Sequence, residues 1–199
     1  MQVRGHSATS TAHGHALCDP AWPALVMLLL AFAACVIPGQ AQSREEEYRV
    51  KAAFLFHFAQ LVTWPESTSE HRSQLVLCTY GDDPFHGALE ATVAGKQIGA
   101  LVLAVRHVRS APEARDCQVL FLSGSQKRLG EALVELRSFP ILTVSEADGF
   151  LEQGGMIRLW IGEGKVRFDV NRSAAEQAGL KIGSRLLLLA QTASKQGAK

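Results

Sequence analysis

The chain has 199 residues, 47% hydrophobic and 20% charged, which suits one packed domain and excludes an intrinsically disordered protein. Lys plus Arg number 20 and Asp plus Glu 19, so a formal net charge of +1 gives no electrostatic case for nucleic acid or an acidic membrane surface. Cys18, Cys35, Cys78 and Cys117 are far apart and form no Cys-x-x-Cys pair, which excludes a zinc knuckle.

Residues 24–37 are an unbroken, uncharged apolar run of 14 residues. A bilayer core needs about 20, so the run reads as the core of a signal peptide. Gly39 and Ala41 supply small residues before a cut after Ala41, giving a leader over residues 1–41 and a domain over 42–199. Phe32-Ala33-Ala34-Cys35 loosely resembles a lipobox and is the alternative, with Cys35 as lipid anchor. Cleavage after Ala41 leaves Cys78 and Cys117, a disulfide candidate in an oxidising compartment that would close a loop of about 40 residues, worth roughly 4 kcal/mol. Two separate buried thiols are the other reading.

Ser43-Arg44-Glu45-Glu46 fits a capping box, so a helix is predicted to start there. Two apolar stripes follow at helical spacing, Val50, Phe54, His57, Leu61 and Ala52, Leu55, Ala59, Val62, and Trp64-Pro65 ends the helix. Residues 75–79 read as a strand turning at Gly81-Asp82-Asp83-Pro84, with Asp83 as the cap of a helix that opens on Pro84. Next come a strand over 101–108, kept as central, a strand over 118–122, a helix over 127–137 carrying Leu129, Leu133 and Leu136, and a strand over 141–144. This alternation predicts one α/β domain, a mainly parallel sheet with helices on both faces. Ile157, Leu159 and Ile161 then alternate with Arg158 and Trp160, Gly162-Glu163-Gly164 turns, and Val166, Phe168 and Val170 alternate with charged residues. That is a C-terminal antiparallel hairpin at the sheet edge. Ser173-Ala174-Ala175-Glu176 fits a second capping box, Gly179 ends the short helix, residues 186–190 pack back on the core, and residues 191–199 fray.

No Gly-x-Ser-x-Gly, His-Glu-x-x-His, P-loop or Gly-x-Gly-x-x-Gly occurs, so the common hydrolase, zinc-peptidase and nucleotide-binding routes lack a footing. Asp82 and Asp83 read as turn and cap rather than as a catalytic pair, and their charge argues against a phosphate at that turn. His57 reads as a core histidine. His71, His86 and His107 share no metal-type spacing, so no catalytic residue, metal or cofactor is expected. Trp160 points away from its apolar neighbours and is either covered by a helix or exposed for a partner. Asn171-Arg172-Ser173 matches a glycosylation triplet but reads as strand end plus helix cap.

Tyr48-Arg49-Val50-Lys51-Ala52-Ala53-Phe54-Leu55-Phe56, continuing to Phe58-Ala59 and closing on Trp64-Pro65, resembles the opening motif of the YfiR family. Further blocks follow in order: Cys78 with Gly81-Asp82-Asp83-Pro84-Phe85, Cys117 with Val119-Leu120-Phe121, Leu142-Thr143-Val144-Ser145 with Gly149-Phe150, Gly154-Gly155-Met156-Ile157, and Val166-Arg167-Phe168-Asp169-Val170-Asn171. Ala174-Ala175, Gly179-Leu180 and the Leu186 to Ala190 run complete a resemblance over about residues 48–190. His57, Thr63 and Gly183 depart from the common pattern of asparagine, glutamate and serine. The resemblance implies a non-enzymatic periplasmic protein that binds an inner-membrane diguanylate cyclase and holds down cyclic di-GMP synthesis and biofilm formation. It also implies capture by an outer-membrane lipoprotein and a redox response through the disulfide, and a homodimer is allowed. Such a repressor needs only to bind the inactive cyclase better than the active one. The competing readings are a periplasmic small-molecule sensor, which needs a concave pocket, and a thiol enzyme using Cys78 or Cys117 beside Arg115.

Overall fold

The computed structural model describes residues 39–65 and 72–196, with side chains over 43–65 and 72–190. The apolar run at 24–37, Cys18, Cys35 and His71 lie outside the described residues. Helix α1 (Gly39–Leu61) begins one turn upstream of the expected start. Gln40, Ala41 and Gln42 are good helix formers, so the backbone is already helical at Ser43, which is no N-cap. Only one of the two expected stripes is fully buried: Ala52, Leu55, Ala59 and Val62, joined by Lys51 and Phe58. Val50 and His57 of the other stripe face solvent, and His57 is no core histidine; its Nδ1 lies 3.1 Å from Gln60 Oε1.

After α1 the chain forms β1 (Val62–Thr63), then β2 (Gln74–Tyr80), α2 (Ala88–Val93), β3 (Gln97–Ile98), β4 (Leu101–Val108), α3 (Ala111–Ala114) and β5 (Val119–Leu122). It continues with α4 (Gln126–Leu136), β6 (Leu142–Ser145), β7 (Ile157–Gly162), β8 (Lys165–Val170), α5 (Arg172–Gln177), β9 (Lys181–Ile182) and α6 (Ser184–Gln196). A seven-stranded sheet runs β3-β4-β2-β5-β6-β7-β8. Its strands from β4 to β7 are parallel, β3 and β8 are antiparallel edges, and β1 pairs with β9 in a separate ribbon. The α/β architecture with its edge hairpin is therefore as the sequence predicts. The hairpin turns on Glu163 and Gly164, both at positive φ (53° and 70°), which matches the right-handed twist of the strands.

Two cores flank the sheet. One packs α1, α2 and α6 through Leu55, Phe58, Leu89, Val93 and Leu186 onto Leu75, Leu77, Phe121, Leu159 and Phe168. The other packs α3 and α4 through Ala114, Leu129, Leu133 and Leu136 onto Val76, Cys78, Leu120 and Leu122. Within the second core a disulfide joins Cys78 on β2 to Cys117 just before β5, with Cα atoms 5.9 Å apart and both residues 1% exposed. Adjacent parallel strands bring the two cysteines together, since Leu77 pairs with Val119.

Four local expectations are corrected. The strand over 101–108 is not central: beyond it lies only the short β3. Asp83 does not cap a helix; its Oδ1 accepts from Phe85 N at 3.1 Å, and α2 starts only after His86 (φ 48°) and Gly87 (φ 88°) have turned through the left-handed region. Asn171, not Ser173, caps α5, accepting from Ala174 N at 3.1 Å. The tail does not fray at 191, because α6 continues to Gln196. The short β1, β3, β9 and α3 escape a sequence reading, since they are too brief to show a period.

Candidate functional site

The five parallel strands stand in the order β4-β2-β5-β6-β7, which is 2-1-3-4-5 when counted along the chain. The connection leaving β2 runs to one side and the chain then returns to place β5 on the other. In such doubly wound sheets a crevice opens at the carboxyl ends of the two strands where the direction reverses. Here those ends are Tyr80 and Leu122, and a cavity of about 1040 Å³ lies there, the size of small-molecule sites.

Three segments wall it. The turn after β2 contributes Asp82, Asp83, Pro84, Phe85 and His86, and α2 adds Ala88 and Ala91. The chain after β5 contributes Ser123 and Gly124, and the residue after β6 is Glu146. The first turns of α1 contribute Arg44, Glu45, Tyr48 and Arg49. Gly81 allows the first two segments to close on each other: its φ is 88°, and a Cβ there would lie 2.6 Å from the carbonyl oxygen of Ser123. The single hydroxyl proton of Ser123 is in turn shared between Tyr80 O, 3.1 Å from Oγ, and Asp82 O.

A buried ion cluster holds α1 against this edge of the sheet. Lys51 is 1% exposed, and its ammonium donates to Glu47 on the same helix and to Glu146 across the sheet. It also lies 4.5 Å over the Tyr48 ring. Burial works against the Lys51 charge, but the hydrogen bonds to Glu146 and Glu47 outweigh it and hold its pKa above the ordinary lysine value. The Tyr48 hydroxyl, bonded to both Glu146 and Arg44, is raised by burial first and by the Glu146 charge second. Tyr48 also meets Phe85 edge-on, with ring centroids 5.6 Å apart.

The residues singled out from sequence fall in different places. Asp82, Asp83 and His86 lie together in the cleft. His107 is elsewhere, bridging Thr79 Oγ1 at 2.7 Å and Glu90 Oε1 at 3.0 Å, so it ties β4 to β2 and α2. Trp160 is half-buried on the outer hairpin, packed over Gly162, with its indole N–H buried and without a partner. Across from it stands Arg167, and the neighbouring Arg158 bonds Asp148 at 2.9 Å. Among the described residues no group of His, Cys, Asp and Glu is placed to hold a metal ion. Lys51 and Glu146 were missed by sequence reasoning; a lysine on the buried face of an otherwise apolar helix was the available signal for the first.

A family model for the domain DUF4154, described as YfiR/HmsC-like, matches residues 48–191. The chain belongs to the YfiR/HmsC-like family. The match opens on Tyr48, so every cleft residue except Arg44 and Glu45 lies within it. No curated protein matches. Among solved structures, this YfiR/HmsC-like chain is similar to a conserved domain protein from Vibrio cholerae O1 biovar El Tor, at 12% identity and TM-score 0.46, covering 70% of this chain and 58% of that one. It is also similar to an ABC domain from Streptococcus pneumoniae in complex with L-Trp, at 12% identity and TM-score 0.42, covering 59% and 54%. The chain thus spans less than two thirds of either.

Proposed function

We propose that this YfiR/HmsC-like protein is exported to the periplasm by a leader cut after Ala41, and there binds an inner-membrane diguanylate cyclase in its inactive conformation, lowering cyclic di-GMP. The family match over residues 48–191 carries the reading. It is supported by the disulfide, which suits an oxidising compartment, and by the lack of any helix among the described residues long and apolar enough to cross a membrane. The protein acts by differential affinity and catalyses nothing. An outer-membrane lipoprotein that sequesters it would relieve the repression.

Two surface features suit partner binding. Trp160 presents an aromatic side chain on the outer hairpin, and Leu188 and Leu189 on α6 are 64% and 49% exposed. Beside Leu189 an apolar groove of about 340 Å³ runs between α6 and α1, floored by Phe54, Phe58 and Phe168. The reading is tested by crosslinking in the periplasm of the native host together with cyclic di-GMP measurement. Recovery of a membrane diguanylate cyclase and a rise in cyclic di-GMP in the null strain are expected. A null strain with unchanged cyclic di-GMP rejects it.

A sensor role is the second reading, and the cleft at the strand ends favours it. The two readings are compatible, since a ligand that prefers one conformation shifts partner affinity.

A further inference from the structure

We propose that the open edge of β4 takes up an antiparallel strand from a partner protein, with an acidic side chain of that strand opposite Arg106. The proposal rests on the reading of this chain as a partner-binding protein, and not on that partner being a cyclase.

The outer side of β4 is paired with β3 only at Leu101 and Val102, and the rest of the strand has no neighbour there among the described residues. Strand geometry decides which backbone groups are left open. Val102 N–H donates inward to Ser73 O at 3.0 Å, and the next amide, Leu103 N–H, donates outward to Lys96 O at 3.0 Å. The alternation then turns the N–H and C=O of Val105 and His107 outward, and after them Arg109 N–H. The Glu113 carboxylate accepts from Arg109 N–H at 3.1 Å. The chain thus closes its own edge on both sides of a short window, and among the described residues nothing bonds the outward groups of Val105 and His107. Pairing with β2 runs unbroken from Val102 to Val108, so no bulge bends the window away, and no proline blocks it. An edge of this kind accepts an added strand through main-chain hydrogen bonds.

Side chains select the occupant. In an antiparallel ladder one incoming residue exchanges hydrogen bonds with Val105 and another with His107, and the residue between them stands directly opposite Arg106, where cross-strand side chains come closest. Arg106 is exposed and forms no ion pair among the described residues. An acidic residue is therefore matched there. A second copy of this chain is not, because the register that uses both open amides sets two copies of Arg106 against each other. A register centred on Val105 would need Leu103, whose amide is already bonded to Lys96 O. Val105 packs against the first core, so the incoming residue beside it is apolar. The partner strand, from its amino end, thus carries an acidic residue followed by an apolar one.

The test is a nuclear magnetic resonance titration of the isotope-labelled protein with the end-blocked peptide Thr-Thr-Glu-Val-Thr-Thr, beside the same peptide with Lys for Glu. At millimolar peptide, saturable shifts and slowed hydrogen exchange are expected at the amides of Val105 and His107, with the Glu peptide about fivefold tighter than the Lys peptide. Arg106→Glu, at an exposed position, should invert that preference. Val105→Pro is tolerated where the N–H faces outward and should abolish binding of both peptides; where it folds poorly, the inversion by Arg106→Glu decides. Glu135→Gln, on the exposed face of α4, should change nothing. No saturable shift along β4, or a preference that Arg106→Glu leaves unmoved, overturns the proposal. So does a dimer of the parent protein that Val105→Pro dissolves, which would give the edge to a second copy. None of these outcomes alters the cyclic di-GMP measurement, which judges the repressor reading separately.

Discussion

Lys51, which is buried, and Glu146, whose side chain is 31% exposed, lie 95 residues apart in sequence and form an ion pair that fastens α1 to the carboxyl end of β6. Because Glu47 shares the same ammonium, losing one carboxylate leaves Lys51 with the other. Glu146→Gln, which retains an acceptor, is therefore expected to cost about 1–2 kcal/mol. Glu47→Gln with Glu146→Gln strands a buried charge and is expected to cost about 3–5 kcal/mol. Urea denaturation of the variants checks this, and a double variant within 1 kcal/mol of the parent contradicts it.

The same cluster sets an alkaline limit. The folded pKa of Lys51 lies above the usual 10.5 and that of Tyr48 above the usual 10.0. For both groups the folded state holds its proton more tightly than the unfolded chain. Their contribution is thus complete below about pH 10 and is lost as pH rises through the folded values. Thermal melts between pH 8 and 11 should show stability falling above pH 10, and Lys51→Met should flatten that fall.

The Cys78–Cys117 bridge closes a long loop within the second core. Its reduction, or Cys78→Ser with Cys117→Ser, should lower stability by about 4 kcal/mol and Tm by roughly 10 °C. Partner capture by the folded fraction should persist, because the sulfurs are buried. Complete loss of function at full protein level would instead favour thiol chemistry.

Gly81 is held at φ 88° with the Ser123 carbonyl where a side chain would begin. Gly81→Ala should cost about 2 kcal/mol or more and reshape the cleft. Ala at Gly87, which shares its φ but has open space around it, should cost only about 1 kcal/mol. Equal losses at the two positions would show that crowding at Ser123 is unimportant.

Trp160 packs over Gly162 and leaves part of its ring exposed. If the hairpin is the partner surface, Trp160→Ala should weaken cyclase capture about tenfold or more, with a Tm change of only a few degrees. Capture at parental strength would move the interface to another face.

The strand and helix order, the edge hairpin and the family were legible because each rests on local information: apolar periodicity, turn residues and short motifs in fixed order. Residues 118–122 and 141–144 read correctly as strands since buried parallel strands are short apolar runs. Helix starts were misread at Ser43, Asp83 and Ser173, where several residues could act as the cap and the neighbouring backbone chose among them. The rank of β4 near the sheet edge was invisible, because strand order depends on crossovers and not on strand composition.

Sequence alone determined the amphipathic elements and the family resemblance, both of which are written in neighbouring residues, whereas the bond between Cys78 and Cys117, 39 residues apart, was decided by the pairing of β2 with β5. Only the tertiary structure brought Tyr48, Glu146, Asp82 and Ser123 to one cleft. Those side chains come from four segments, and their meeting follows from the reversal of chain direction between β2 and β5. No local pattern encodes that reversal, since burial of the whole sheet between two helical layers selects it.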